Sequence, residues 1–163
     1  MVGCFYFISN EFYDKFPNSG LMLNKDGKPG DLHDRPCFFA FPDKQNPSLF
    51  WLIPISSQIL KYHQIYDKKF EKYNYCNTIY FCKFIGEERA FLIQNMFPVT
   101  QKYIADIYID RNTQKEIRLN PFDEKKLIRY AKEVMKAHKI GKKVFFVDIE
   151  SIKSFLLLEN DSL

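Results

Sequence analysis

Long hydrophobic runs are missing from this 163-residue chain, in which no uncharged apolar stretch approaches the ~20 residues of a membrane-spanning helix. Missing too are the basic n-region and small-residue cleavage site of a secretory signal, since the chain opens Met1-Val2-Gly3-Cys4-Phe5-Tyr6-Phe7. A cytoplasmic protein without a membrane partner is expected. The four cysteines (Cys4, Cys37, Cys76, Cys82) make no C-x-x-C pair, and Cys4, Cys37 and Cys82 lie among aromatic residues. That pattern argues against a zinc site or disulfide scaffold and for reduced, buried thiols. Only three histidines are present (His33, His63, His138), no two at metal-ligand spacing and none beside a cluster of Asp or Glu. Gly141-Lys142-Lys143 lacks the glycine-rich lead of a nucleotide-binding loop. Neither metal nor cofactor is expected.

What is abundant is apolar and aromatic surface: 46% of residues are hydrophobic, with 17 Phe and 10 Tyr. Such a composition excludes disorder as the overall state and, at this length, fits one domain over residues 1–163. Charge is unevenly spread. Between Asp123 and Lys143 lie eight basic residues (Lys125, Lys126, Arg129, Lys132, Lys136, Lys139, Lys142, Lys143) against three acidic ones, so this segment is +5 and the remainder −1. One local element supplies the whole positive balance, which points to a polyanionic partner met on one face. A merely solvated helix face is the alternative.

Six short runs rich in Phe, Tyr, Ile and Val read as strands, over 4–9, 36–41, 49–55, 78–85, 89–97 and 144–148. Gly86-Glu87-Glu88 suggests one hairpin turn and residues 42–48 the connection of another. Residues 17–35 form the one long polar loop expected, and loops of that length are usually functional or mobile. Two helices are expected. The first starts after Gln58 with an apolar stripe of Ile59, Tyr62, Tyr66, Phe70 and Tyr73, and carries Lys61, Lys68 and Lys72 on another face. The second has Asn120 as cap, Pro121 at the first position and Gly141 at its end, and its Lys125, Arg129, Lys132, Lys136 and Lys139 fall in one stripe. A stripe of this kind suits phosphates along a nucleic-acid backbone.

The strand over 49–55 runs into the first helix through Ser56-Ser57. A helix N-terminus offers unpaired N–H groups and partial positive charge, so this junction can hold a phosphate; a simple serine N-cap is the alternative. If the runs over 36–41 and 49–55 pair antiparallel, Arg35 meets Ser56 and Ser57 at one sheet edge. A guanidinium and hydroxyls converging there suit a phosphodiester whose non-bridging oxygens gain charge in transition. His33 is near Arg35 in sequence, His63 sits on the apolar stripe of the first helix, and His138 fits a packing or helix-dipole role.

Arg35-Pro36 before an apolar strand, followed by Trp51-Leu52-Ile53-Pro54-Ile55-Ser56-Ser57-Gln58, resembles the signature of MazF/PemK-like toxin ribonucleases. The opening Phe5-Tyr6-Phe7-Ile8-Ser9 and the later segment from Ala90 to Val99 resemble the ToxN/AbiQ branch, in particular its CptN/TenpN-like subgroup. The resemblance implies an α+β fold, a compact SH3-like antiparallel β-barrel with appended helices. It implies a metal-independent endoribonuclease toxin of a type III toxin–antitoxin system, in which 2′-OH attack leaves 2′,3′-cyclic phosphate and 5′-OH ends. Its implied partners are RNA substrates and a repeat-derived pseudoknot RNA antitoxin, which the toxin processes and binds in a closed assembly. Abortive phage defence is the implied role.

By the same resemblance Ser56 and Ser57 hold the scissile phosphate and Arg35 is the basic residue opening the preceding strand. A lysine two residues after the serine pair is common in the family; here the first basic residue is Lys61. The general acid and base therefore stay open among Lys61, His63 and His33. Tyr13 matches a site aromatic, and Lys25, Lys28 and Lys68 join the basic helix, with Lys142 and Lys143, as RNA-binding candidates. The competing reading is a non-catalytic barrel that binds structured RNA through the same basic surface.

Overall fold

The computed structural model describes residues 1–23 and 35–162. Within them lie seven strands and four α-helices: β1 (Phe5–Ile8), α1 (Asn10–Lys15), β2 (Cys37–Pro42), β3 (Phe50–Ser56), α2 (Ile59–Tyr73), β4 (Ile79–Phe84), β5 (Glu87–Leu92), β6 (Phe97–Val99), β7 (Ile104–Ile107), α3 (Pro121–Lys139) and α4 (Ile149–Asp161). The expected loop over 17–35 falls largely outside the described residues. A second long irregular stretch, from Tyr108 to Asn120, is tied down by the bridge between Ile109 and Glu116, by the Tyr108 N–H on the Phe5 carbonyl and by Arg118 on Glu124.

All pairings are antiparallel, in the order β4-β5-β3-β2-β1-β7, with β6 added on β3. Among the described residues no ladder joins β4 to β7, so the sheet is open where a closed barrel was expected. β3 is the hub. One edge pairs with β2 over Phe50–Pro54, while the other serves β6 over Phe50–Leu52 and β5 over Ile55–Ser56. Pro54, which has no N–H to donate, sits in the gap between those two partners. In that gap the expected single strand over 89–97 is interrupted by a 3-10 turn, Ile93–Asn95, before β6 returns to the β3 edge.

The run over 144–148 is not a strand. Its backbone makes separate bonds to two different segments, Phe146 N–H to the Gln94 carbonyl and Asp148 N–H to the Ser19 carbonyl, rather than one ladder. Asp148 then caps α4, which sequence periodicity had not revealed. α1 and β7 are likewise additions.

Alternation in β4 and β5 sends Tyr80, Cys82, Phe84 and Phe91 into the main core. Ile79, Ala90 and Leu92 go to the opposite face, where α2 covers them with Tyr62, Ile59, Ile65 and Tyr66. α3 buries Leu127, Ala131, Val134 and Met135 against the main core, each large side chain contributing about 2 kcal/mol of burial. Its exposed stripe is left facing outward. All four cysteines are buried and unpaired. No described helix is long and apolar enough to cross a membrane.

Candidate functional site

The β2–β3 hairpin does bring Arg35 to the end of β3. Cys37 pairs with Pro54, so Arg35 stands just outside the ladder opposite the strand's exit. Its Nη1 donates to the Ile55 carbonyl at 2.7 Å and its Nε to the Leu23 carbonyl at 3.1 Å. A guanidinium carries five donors, so those two bonds fix the plane and, among the described residues, leave the Nη2 edge for an anion.

The two serines are not equivalent. Ser56 is the last residue of β3, buried opposite Ala90, and its hydroxyl accepts from the Gln58 N–H at 3.1 Å. Ser57 is exposed, and its hydroxyl has no partner among the described residues. Neither serine caps α2: the cap position is Gln58, whose side chain makes no capping bond. The Ile59 N–H is taken by the Ser57 carbonyl at 2.9 Å, so Leu60 and Lys61 carry the orphan N–H groups of the helix start, just after exposed Ser57 and the Ile55 carbonyl that holds Arg35.

Tyr13, on α1, is buried, and its hydroxyl finds no hydrogen-bond partner among the described residues. Burial pushes the phenol well above its ordinary pKa, with the Cys37 thiol adding to the rise and the Arg35 guanidinium opposing it. Cys37 is itself raised to about 12, by burial above all, with Arg35 and Tyr13 pulling the other way. Tyr13, Cys37 and Arg35 thus form one electrostatic corner beneath the β3 exit, in which both acids stay neutral near pH 7.

Across β3, β5 and β4, Ser56, Ala90 and Phe81 stand in one row. At ~5 Å per strand, Phe81 lies about 10 Å from Ser56. The His63 ring, one turn into α2, stacks flat on Phe81 with centroids 3.8 Å apart and planes 5° apart. Its Nε2 meets Glu88 Oε1 at 2.8 Å. A carboxylate on Nε2 selects the tautomer with its proton there and leaves the Nδ1 lone pair available. Glu88 was absent from the sequence-based candidates, because a partner 25 residues away on another element leaves no local signature.

Lys61 is exposed, with its ammonium 5.3 Å from the centre of the adjacent Tyr62 ring. Lys68 is exposed further along α2. Lys125, Arg129, Lys132, Lys136 and Lys139 do form one exposed stripe on α3, and none of them makes a salt bridge among the described residues. Lys142 and Lys143 lie beyond α3 and line a separate hollow with His138, which pairs with Glu150 at 2.9 Å. His33, Lys25 and Lys28 lie outside the described residues.

Against solved structures, the chain matches AbiQ, described as a lactococcal anti-phage endoribonuclease belonging to the type-III toxin-antitoxin system. The TM-score is 0.65, and the match covers 97% of this chain and 98% of AbiQ. The chain has the AbiQ fold. At 15% identity the likeness to AbiQ is one of architecture, carried over nearly the full length of both chains. No family model matches the sequence, and no curated protein matches it.

Proposed function

We propose that the protein is an endoribonuclease toxin of a type III toxin–antitoxin system, acting on RNA as a single domain over residues 1–163. The observation that supports this reading is Arg35 held on the Ile55 carbonyl at the β3 exit, two residues before Ser57 and the start of α2, within a fold shared with an endoribonuclease of such a system. The Arg35 Nη2 edge, the Ser57 hydroxyl and the helix N–H groups are donors suited to the non-bridging oxygens of a phosphodiester.

The reaction is a transesterification. A base takes the proton of the ribose 2′-OH, O2′ attacks phosphorus, the P–O5′ bond breaks, and O5′ departs with a proton from an acid. The products are a 2′,3′-cyclic phosphate and a 5′-OH. His63, with Nε2 held by Glu88 and Nδ1 open, suits the base; Lys61 and His33 are the candidates for the acid. None of these groups calls for a metal ion. RNA runs from this corner along the basic stripe of α3, and a repeat-derived pseudoknot RNA antitoxin occupies the same surfaces in a closed toxin–RNA assembly. Phage defence by abortive infection follows from release of that antitoxin.

The test is RNA cleavage in EDTA by wild type and Ser57→Ala, with end-group analysis. Cyclic-phosphate ends from the wild type alone are expected. Tight RNA binding with no cleavage by either protein replaces this reading with the non-catalytic RNA-binding one.

A further inference from the structure

The α3 stripe is not a flat row of charge. Lys132 and Lys136 stand on a ridge with a hollow of about 640 Å³ on each side. One hollow is lined by Phe122, Ile128 and Arg129, the other by Phe41, Lys44, Trp51 and Lys139. Each is within the size range of small-ligand sites. Phe122 is 70% exposed at the very start of α3, a position that no packing requirement explains, and the Lys126 ammonium lies 5.8 Å from its ring centre. On the far side, Phe41 is half-buried on β2 and Lys44 follows it into the hairpin connection. The carboxylates at the two hollows are engaged elsewhere: Asp43 by the Trp51 indole N–H, the backbone N–H groups of Gln45 and Asn46 and Lys153, and Glu133 by the Tyr75 hydroxyl.

From this we infer that α3 binds single-stranded RNA by straddling: the phosphates ride the Lys132–Lys136 ridge while unstacked bases drop into the aromatic hollows on either side. The inference rests on the RNA reading above and adds the strandedness of the ligand and the residues that read it. Cations alone would serve any polyanion. Cations flanked by the exposed Phe122 ring on one side and the partly exposed Phe41 ring on the other select a chain whose charges and π-faces alternate, which a duplex with stacked bases and an acidic peptide lack. The ridge lysines have no carboxylate partners among the described residues, so their charge is available to the ligand.

The experiment measures binding of an uncleavable 2′-O-methyl RNA strand to the full chain, alone and annealed into a blunt duplex, across a salt series. Phe122→Ala is expected to weaken single-strand binding about tenfold, with little change in salt slope. Phe41→Leu, which keeps apolar bulk under the hairpin, is expected to act in the same direction. Lys132→Glu with Lys136→Glu lowers the slope by about 1.4 log–log units, from ~0.7 per contact. Duplex binding equal to single-strand binding overturns the inference, as does an unchanged affinity in both aromatic variants or displacement by polyglutamate at equal charge. Cleavage is scored separately in the Ser57→Ala assay: single-strand binding that obeys these variants without cleavage sinks only the nuclease reading, whereas normal cleavage with indifferent aromatics sinks only this one.

Discussion

Glu88 Oε1 lies 2.8 Å from Nε2 of His63, on a ring already clamped flat against Phe81. A half-exposed histidine fixed in both tilt and tautomer is suited to accept a proton at its remaining nitrogen. His63→Ala is expected to slow RNA cleavage by about 10²–10³, within the range of general acid–base catalysis, and to leave RNA affinity intact. Glu88→Gln, which acts through His63, is expected to cost about tenfold in kcat at constant KM. Single-turnover cleavage beside equilibrium binding checks both. If His63→Ala cuts at the parental rate, the base is another group.

Adjacent serines separate stability from activity. Ser57→Ala is expected to abolish cleavage with a melting temperature within a degree or so of wild type, since the side chain is exposed and touches no core. Ser56→Ala strips the Gln58 N–H of its acceptor at the buried end of β3, and is expected to lower stability by about 1 kcal/mol. Thermal melts and cleavage assays on the two variants should give opposite orderings.

Asp43 ties the β2–β3 connection together. Burial pushes its carboxyl up, but the Trp51 indole, the Asn46 and Gln45 N–H groups and Lys153 together outweigh that and hold it below 3.8. Its folded-state pKa is depressed, so its contribution is full above the unfolded value and disappears as pH falls through the folded one. Asp43→Asn, which turns an N–H of its own toward the Trp51 indole, is expected to cost about 1–2 kcal/mol at pH 7. Denaturant melts should show the gap between variant and wild type closing below pH 4.

The β4–β5 turn holds a removable strain. Ile85 and Gly86 have φ of 53° and 80°, and a β-branched residue in the left-handed region is costly where Asn or Asp fits. Ile85 is exposed, so Ile85→Asn sacrifices no core. It is expected to stabilise by about 1 kcal/mol, or roughly 3 °C in Tm for a chain of this size. A calorimetric Tm at or below the parental value would contradict this.

How much of this was legible in the sequence depends on how local the cause is. α3 announced itself, because Asn120 caps it through the Asp123 N–H, Pro121 follows, and the apolar and basic stripes repeat within one segment. The meeting of Arg35 with the β3 exit followed from a short hairpin connection. By contrast, Val144-Phe145-Phe146-Val147 has strand composition yet joins neither open edge of the sheet; the Phe146 N–H goes to the Gln94 carbonyl and the next residue, Asp148, donates to Ser19. The Gly86-Glu87-Glu88 turn proved to be Ile85-Gly86, since nothing in composition forecasts isoleucine at positive φ. The different fates of Ser56 and Ser57 turn on a pleat register that only the β5 pairing sets. Phe122 and Phe41 were invisible as a pair because their relation runs across a helix ridge rather than along the chain.

β3 exchanges hydrogen bonds with β2, β5 and β6 and hands the chain directly to α2. Arg35 is anchored to its exit, Ser57 follows it, and His63 leans on the β4–β5 pair that docks against its last residues. No substructure lacking this strand can hold the three in register. The halves of the corner differ in how far they reach along the chain: Arg35 is held within the β2–β3 hairpin itself, whereas His63 takes Phe81 and Glu88 from a hairpin that follows it, so a nascent chain must extend through β5 before that ring has its partners.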